Sequence, residues 1–166
     1  LEDWCLISAK GKETFSFLQS QTTNDVLQMQ VGQGQNSAVT DRQARLIANF
    51  SIHRMEEDEA LILVETSLKD ILLNHLESYH FREEVEFTVL NCRLLALQGP
   101  KSSLILEKIF ENQNLPDKPN DTTQLTLGKH PINIIIKSLT GEEGQVLCLP
   151  NELEDELTQL ILKSDS

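Results

Sequence analysis

Apolar and polar positions change rhythm several times along the chain, and each rhythm predicts an element. Trp4 to Ala9 is a short apolar run that predicts a strand, closed by the turn Lys10-Gly11. From Lys12 to about Ser20, Phe15 and Leu18 sit three apart and Phe17 widens the apolar stripe, which predicts a helix. Leu68, Ile71, Leu72, His75, Leu76 and Tyr79 form one continuous face of a helix over 67–79, with Thr66 or Ser67 as its N-cap.

The rest of the chain favours strands. Leu46 to Ile52 and Ala60 to Val64 predict an antiparallel hairpin around the acidic turn Met55-Glu56-Glu57-Asp58-Glu59. Val85, Phe87 and Val89 alternate with Glu86 and Thr88, and segments 85–90 and 93–98 predict a second hairpin. Val31-Gly32-Gln33-Gly34 reads as a flexible turn. Ser102 to Phe110 predicts a short helix with Leu104, Ile105 and Ile109 inward. Ile132 to Ile136 and Val146 to Leu149 predict strands around the turn Thr140-Gly141-Glu142-Glu143-Gly144. A last helix opens at Asn151 and buries Leu153, Leu157, Leu160 and Ile161. Hairpins and helices interleave without a strict βαβα rhythm, so the fold class is α+β, helices packed on mixed or antiparallel sheet.

A length of 166 residues sets the expectation of a single domain over 1–166. The segment 111–124, rich in Asn, Asp and Pro, is the linker-like stretch, either a sub-boundary or a long loop. A net charge of −12 argues against a nucleic-acid partner, which needs a basic face. No run approaches the roughly 20 apolar residues of a membrane span, so no membrane partner is expected. The three cysteines, Cys5, Cys92 and Cys148, are far apart and lack metal spacing, which fits buried thiols in a reducing compartment. His75 and His80 do not share a helix face, so no metal is expected there. The setting is read as cytoplasmic, or as the mitochondrial matrix if a transit peptide has been removed.

The most informative stretch is Gln19-Ser20-Gln21-Thr22-Thr23-Asn24-Asp25, a block of side-chain hydrogen-bonding groups after the apolar pair Phe17-Leu18. Such a block either ties a helix end to neighbouring backbone, the more common role, or lines a polar ligand site. Arg42, Arg45 and Arg54 lie close enough in sequence to make a small anion site.

Four motifs in order resemble the folate-binding domain of the T-protein/YgfZ family. They are Phe17-Leu18-Gln19 through Val26 followed by Gly32; Arg45-Leu46-Ile47-Ala48-Asn49-Phe50 after Thr40-Asp41-Arg42-Gln43; Leu97-Gln98-Gly99-Pro100; and Thr140-Gly141-Glu142 with Gly144 leading to Leu149-Pro150. That family includes the aminomethyltransferase of the glycine cleavage system and YgfZ-type proteins linked to iron–sulfur cluster assembly. The resemblance implies binding of tetrahydrofolate or a related folate, with iron–sulfur proteins as possible partners. The residues it nominates are Gln19, Gln21, Thr23, Asn24, Arg42, Arg45, Asn49 and Glu142. Arg42 or Arg45 would face the glutamate tail. Glu142 would pair with a pterin ring N–H and amino group, or else is a solvated turn acid.

Departures from the family pattern shape the expected activity. The aminomethyltransferases carry Gly-Gly-x-x-Asp-Asp where this chain has Ala44, Arg45, Ala48 and Asn49. Asn cannot ionise, so no catalytic residue is nominated and the resemblance is placed nearer the YgfZ-like branch. An upstream aromatic of the family falls at Asn36. The acid that contacts the pterin falls at Val146, beside Gln145. The family's Lys-Gly-Cys-Tyr-x-Gly-Gln signature and C-terminal barrel are not in this sequence. The expectation is therefore a folate-binding, non-catalytic protein supporting iron–sulfur cluster maintenance or one-carbon metabolism. One alternative is a folate-dependent aminomethyltransferase using Asp25 or Asp41; another is a degenerate domain kept as a protein-interaction scaffold.

Overall fold

The computed structural model describes residues 1–111 and 113–164. They divide into two compact units, one of Glu2–Leu90 and one that begins at Asn91 and includes Leu1. The segment 111–124 lies inside the second unit.

The first unit runs β1 (Trp4–Lys10), α1 (Thr14–Gln21), a 3-10 turn at Val26–Gln28, β2 (Gly34–Thr40), β3 (Leu46–Arg54), β4 (Glu59–Glu65), α2 (Thr66–Ser78) and β5 (Glu86–Val89). Its strands form a five-stranded sheet in the order β2-β3-β4-β1-β5, every neighbouring pair antiparallel. Period-2 alternation puts Ala48, Phe50 and Ile52 of β3 in the core with Ile62 and Val64 of β4. Phe15, Phe17 and Leu18 of α1 and Leu72 and Leu76 of α2 complete that core. Gly11, in the turn between β1 and α1, sits at φ 149°, and a Cβ there would collide with the Glu84 backbone, so this turn is built for glycine.

The second unit runs β6 (Arg93–Gln98), α3 (Ser102–Ile109), β7 (Thr122–Leu127), β8 (His130–Ile136), β9 (Gly144–Leu149), a 3-10 turn at Asn151–Leu153 and α4 (Glu154–Ser164). Its four-stranded antiparallel sheet has the order β6-β9-β8-β7. Ile132, Ile134, Leu147 and Leu149 meet Leu106 and Phe110 from the α3 side and Leu153 and Leu157 from the α4 side.

The α+β class and the 46–54/59–65 hairpin stand as expected, with the sheets antiparallel. The expected hairpin of 85–90 with 93–98 is corrected: β5 pairs with β1, and β6 pairs with β9. Adjacency in sequence suggested a hairpin, but the chain leaves one unit for the other between Leu90 and Asn91. Gly34 belongs to β2 rather than to a turn. The N-cap of α2 is Glu65 and makes no side-chain capping bond, so neither Thr66 nor Ser67 is the cap. Leu104 of α3 is 58% exposed, contrary to expectation, whereas Ile105 is buried and Ile109 packs against the core as expected, joined by Leu106 and Phe110.

Candidate functional site

The end of α1, the β2–β3 loop and the last turn of α2 enclose a cleft of about 350 Å³ in the first unit. Gln21, Thr23, Thr40, Asp41, Arg42, His75 and Tyr79 are among the residues that line it. The polar block after Phe17-Leu18 builds the first wall. The Thr22 hydroxyl donates to the Leu18 carbonyl at 2.9 Å, closing α1. Thr23 is tied twice to Ala38 of β2: its amide donates to the Ala38 carbonyl at 3.0 Å, and its hydroxyl oxygen accepts the Ala38 amide at 3.2 Å. Asn24 donates its side-chain amide to the Asn36 carbonyl at 2.5 Å. Gln19 Oε1 accepts the amides of Val26 at 2.8 Å and Leu27 at 3.3 Å, fixing the 3-10 turn. Thr23 and Asn24 thus tie the far end of the block to β2, while Gln19 and Thr22 bond within the helix end and the turn after it.

The β2–β3 loop builds the second wall. The Ala44 amide donates to the Asp41 carbonyl at 3.0 Å and Ala44 itself sits at φ 59°, a left-handed residue that turns the chain back into β3. Asp41 Oδ1 accepts the amides of Gln43 at 2.8 Å and Arg45 at 2.9 Å, and Oδ2 accepts Arg45 Nε at 2.7 Å. The Arg45 backbone amide, its guanidinium and the Gln43 amide hold the Asp41 carboxyl below the usual carboxylate range. Arg45 is spent on this loop, with a further bond to Gln43 Oε1 at 2.8 Å. Arg42 forms no ion pair among the described residues and brings its guanidinium to the cleft.

The third wall comes from α2. His75 and Tyr79 stand one turn apart, their ring centroids 5.0 Å from each other. Burial pushes the His75 imidazole below its usual value, so it presents a neutral ring near pH 7. Hydroxyls, a carboxamide and the Arg42 guanidinium therefore face a cleft whose one carboxylate is already bound to Arg45. That combination suits an anionic or strongly hydrogen-bond-accepting group such as a carboxylate.

Of the residues nominated from the sequence, Gln21, Thr23 and Arg42 line this cleft. Gln19, Asn24 and Arg45 are engaged in the ties just described. Asn49 lies on β3 opposite Ala38, exposed, outside the lining. Glu142 is in the second unit, exposed on the β8–β9 loop. Thr40, His75 and Tyr79 were not nominated; the i,i+4 spacing of His75 and Tyr79 at the edge of the apolar stripe is the signal that would have found them.

The β8–β9 loop of the second unit rests on Gln98, whose side chain donates to the Lys137 carbonyl at 3.1 Å and accepts the Leu139 amide at 2.9 Å. A Cβ at Gly144 would displace that side chain from these bonds. A separate cavity of about 440 Å³ lies here, with Ser103, Leu106, Leu115, Pro119, Glu143 and Gln145 in its walls. Gln145 is 1% exposed and donates to Ser103 Oγ at 2.9 Å. Val146, next along β9, points to the opposite face and is fully buried between Ala96 and Ile135. Gln145 therefore cannot take the place of an acid at position 146.

The profile of the family described as GCVT N-terminal domain matches residues 5–166. An aminomethyltransferase of Thermus thermophilus is 30% identical over 145 residues, covering 86% of this chain and 42% of the relative. A mitochondrial aminomethyltransferase of Mesembryanthemum crystallinum is 24% identical over 172 residues, covering 96% of this chain and 40% of the relative. The chain thus spans about two-fifths of the length of these relatives. Among solved structures, the glycine cleavage system aminomethyltransferase T of Bartonella henselae superposes with a TM-score of 0.84 at 22% identity, over 96% of this chain and 43% of that one. A chain of the heterotetrameric sarcosine oxidase of Corynebacterium sp. U-96 superposes with a TM-score of 0.63 at 15% identity, over 98% of this chain and 79% of that one. Both structures are likenesses of fold.

Proposed function

This chain belongs to the GCVT N-terminal domain family, and we propose that it binds tetrahydrofolate or a related folate without itself transferring an aminomethyl group. The observation that carries the non-catalytic half is Asn49. It occupies the position at which the resemblance places the family's acid, and a carboxamide neither takes up a proton as a base nor stabilises a developing cation by charge. Asp41, the carboxylate of the β2–β3 loop, is bound to Arg45 on both oxygens and is a weak base.

Support for folate comes from the chemistry of each unit taken separately. In the first, Arg42, Gln21 and Thr23 fit a carboxylate such as a glutamate tail. In the second, where Val146 supplies no carboxylate, the resemblance offers Glu142 as the acid for a pterin. The proposed role lies on the YgfZ-like side of the family: maintenance of iron–sulfur proteins, its proposed partners, or one-carbon handling. A cytoplasmic or mitochondrial-matrix setting belongs to the same reading, one relative being a mitochondrial protein.

Calorimetric titration with tetrahydrofolate, run beside an assay for aminomethyl transfer, tests both halves. Saturable heat without turnover is expected. Absence of heat at high micromolar ligand refutes binding, and turnover refutes the non-catalytic half.

The competing reading is an aminomethyltransferase, favoured by the shared name of the relatives. It needs Asp25, exposed at the start of the 3-10 turn, or Asp41 as its carboxylate. Turnover unchanged in Asp25→Asn and Asp41→Asn variants removes those residues from the chemistry.

A further inference from the structure

Cys92 and Cys148 are 56 residues apart in the chain, yet their sulfurs lie 2.7 Å apart. The register explains the meeting. In the β6–β9 ladder Arg93 stands opposite Leu149 and Leu94 opposite Cys148, so Cys92, one position before β6, lies diagonal to Cys148. Both are free thiols, Cys92 half-buried and Cys148 buried. A gap of 2.7 Å is on the order of 0.7 Å beyond the roughly 2.05 Å of a disulfide bond.

The two thiols differ chemically. Cys148 donates its S–H to the Cys92 sulfur. That bond stabilises a Cys92 thiolate and holds its pKa below the usual thiol value. The same bond and burial push the Cys148 thiol up, so it stays protonated. One sulfur is thereby prepared to attack and the other to follow.

We propose that Cys92 and Cys148 form a two-thiol redox site that reduces a peroxide and closes reversibly to a disulfide. The Cys92 thiolate attacks one oxygen of hydrogen peroxide: the S–O bond forms, the O–O bond breaks, and the departing hydroxide takes a proton and leaves as water. The Cys148 sulfur then attacks the Cys92 sulfenic acid: the S–S bond forms, the S–O bond breaks, and the hydroxyl leaves with the Cys148 proton as a second water. The peroxide gains the two electrons that the thiols lose. A dithiol reductant such as dithiothreitol reverses the closure by exchange and is itself oxidised to its disulfide. Cys5, in the first unit, serves as an internal control.

The test treats the whole chain with a small excess of hydrogen peroxide, then alkylates it under denaturing conditions and maps the peptides without reduction. The expected map links Cys92 to Cys148 within one chain, leaves Cys5 alkylated, and returns to all three alkylated thiols after dithiothreitol. The oxidised chain also melts several degrees higher, because the bond closes a long loop. Cys148→Ser leaves the Cys92 sulfenic acid without its partner, and dimedone then labels Cys92. The proposal is overturned if all three thiols remain alkylatable, if the link joins two chains, or if Cys5 is the residue consumed. The unmutated map decides the matter even if the serine variant misfolds.

Discussion

Asp41 and Arg45 close the β2–β3 loop on each other: the Arg45 amide reaches Asp41 Oδ1 at 2.9 Å and its Nε reaches Oδ2 at 2.7 Å. These bonds favour the ionised carboxyl, which is why its pKa falls. A carboxyl whose folded pKa is depressed contributes stability that is present above its unfolded pKa and fades as pH falls through the folded one. Carbon-detected NMR titration of Asp41 is therefore expected to give a midpoint below the ordinary aspartate value. Arg45→Met keeps both backbone bonds and moves that midpoint only part of the way back. A wild-type midpoint at or above the ordinary value contradicts the loop geometry.

Ala44 carries the positive φ of this same loop, 59°. A left-handed residue with a Cβ costs roughly 1–2 kcal/mol relative to glycine. The family pattern has its first glycine at this position, so the structure supplies the reason for it. Ala44→Gly is expected to raise stability by about 1 kcal/mol, offset in part by the greater freedom of glycine in the unfolded chain. Urea unfolding measures the change. A loss of stability would mean that the loop is not left-handed at this residue.

Gln19 acts through backbone, with one side-chain oxygen serving the amides of both Val26 and Leu27. Gln19→Ala leaves both donors without that acceptor, and the expected cost is about 1–2 kcal/mol. Amide exchange at Val26 and Leu27 should quicken in the same variant, while exchange in β6 to β9 should not change. Unaltered exchange at Val26 would show that the tie is not made in solution.

The elements with one strong period were legible in the sequence. The α2 stripe buries Leu72 and Leu76, and the continuous apolar run of β4 sits in the middle of its sheet. β2 was not legible because Gly34-Gln35-Asn36-Ser37-Ala38-Val39-Thr40 is small and polar; the ladder to β3 defines it. β7 was hidden by its Asn- and Pro-rich approach and by threonines, and only Thr122 and Leu125 of it are buried. At the cleft, the polar block was legible as a group but not in its division of labour. Whether Gln19 faces backbone and Gln21 faces the cleft depends on how α1 is rotated against β2. The pairing of Cys92 with Cys148 lay beyond reach because strand register cannot be read from two cysteines 56 residues apart.

Arg42 is the cation of the cleft proposed to meet the glutamate tail of a folate. Calorimetric titration of tetrahydrofolate into the wild-type chain and the Arg42→Ala variant tests it most directly. Saturable binding by the wild type is predicted, weakened about tenfold in the variant, as loss of one charge-assisted carboxylate contact requires. No heat at high micromolar tetrahydrofolate, or equal affinity in the two proteins, would contradict the account.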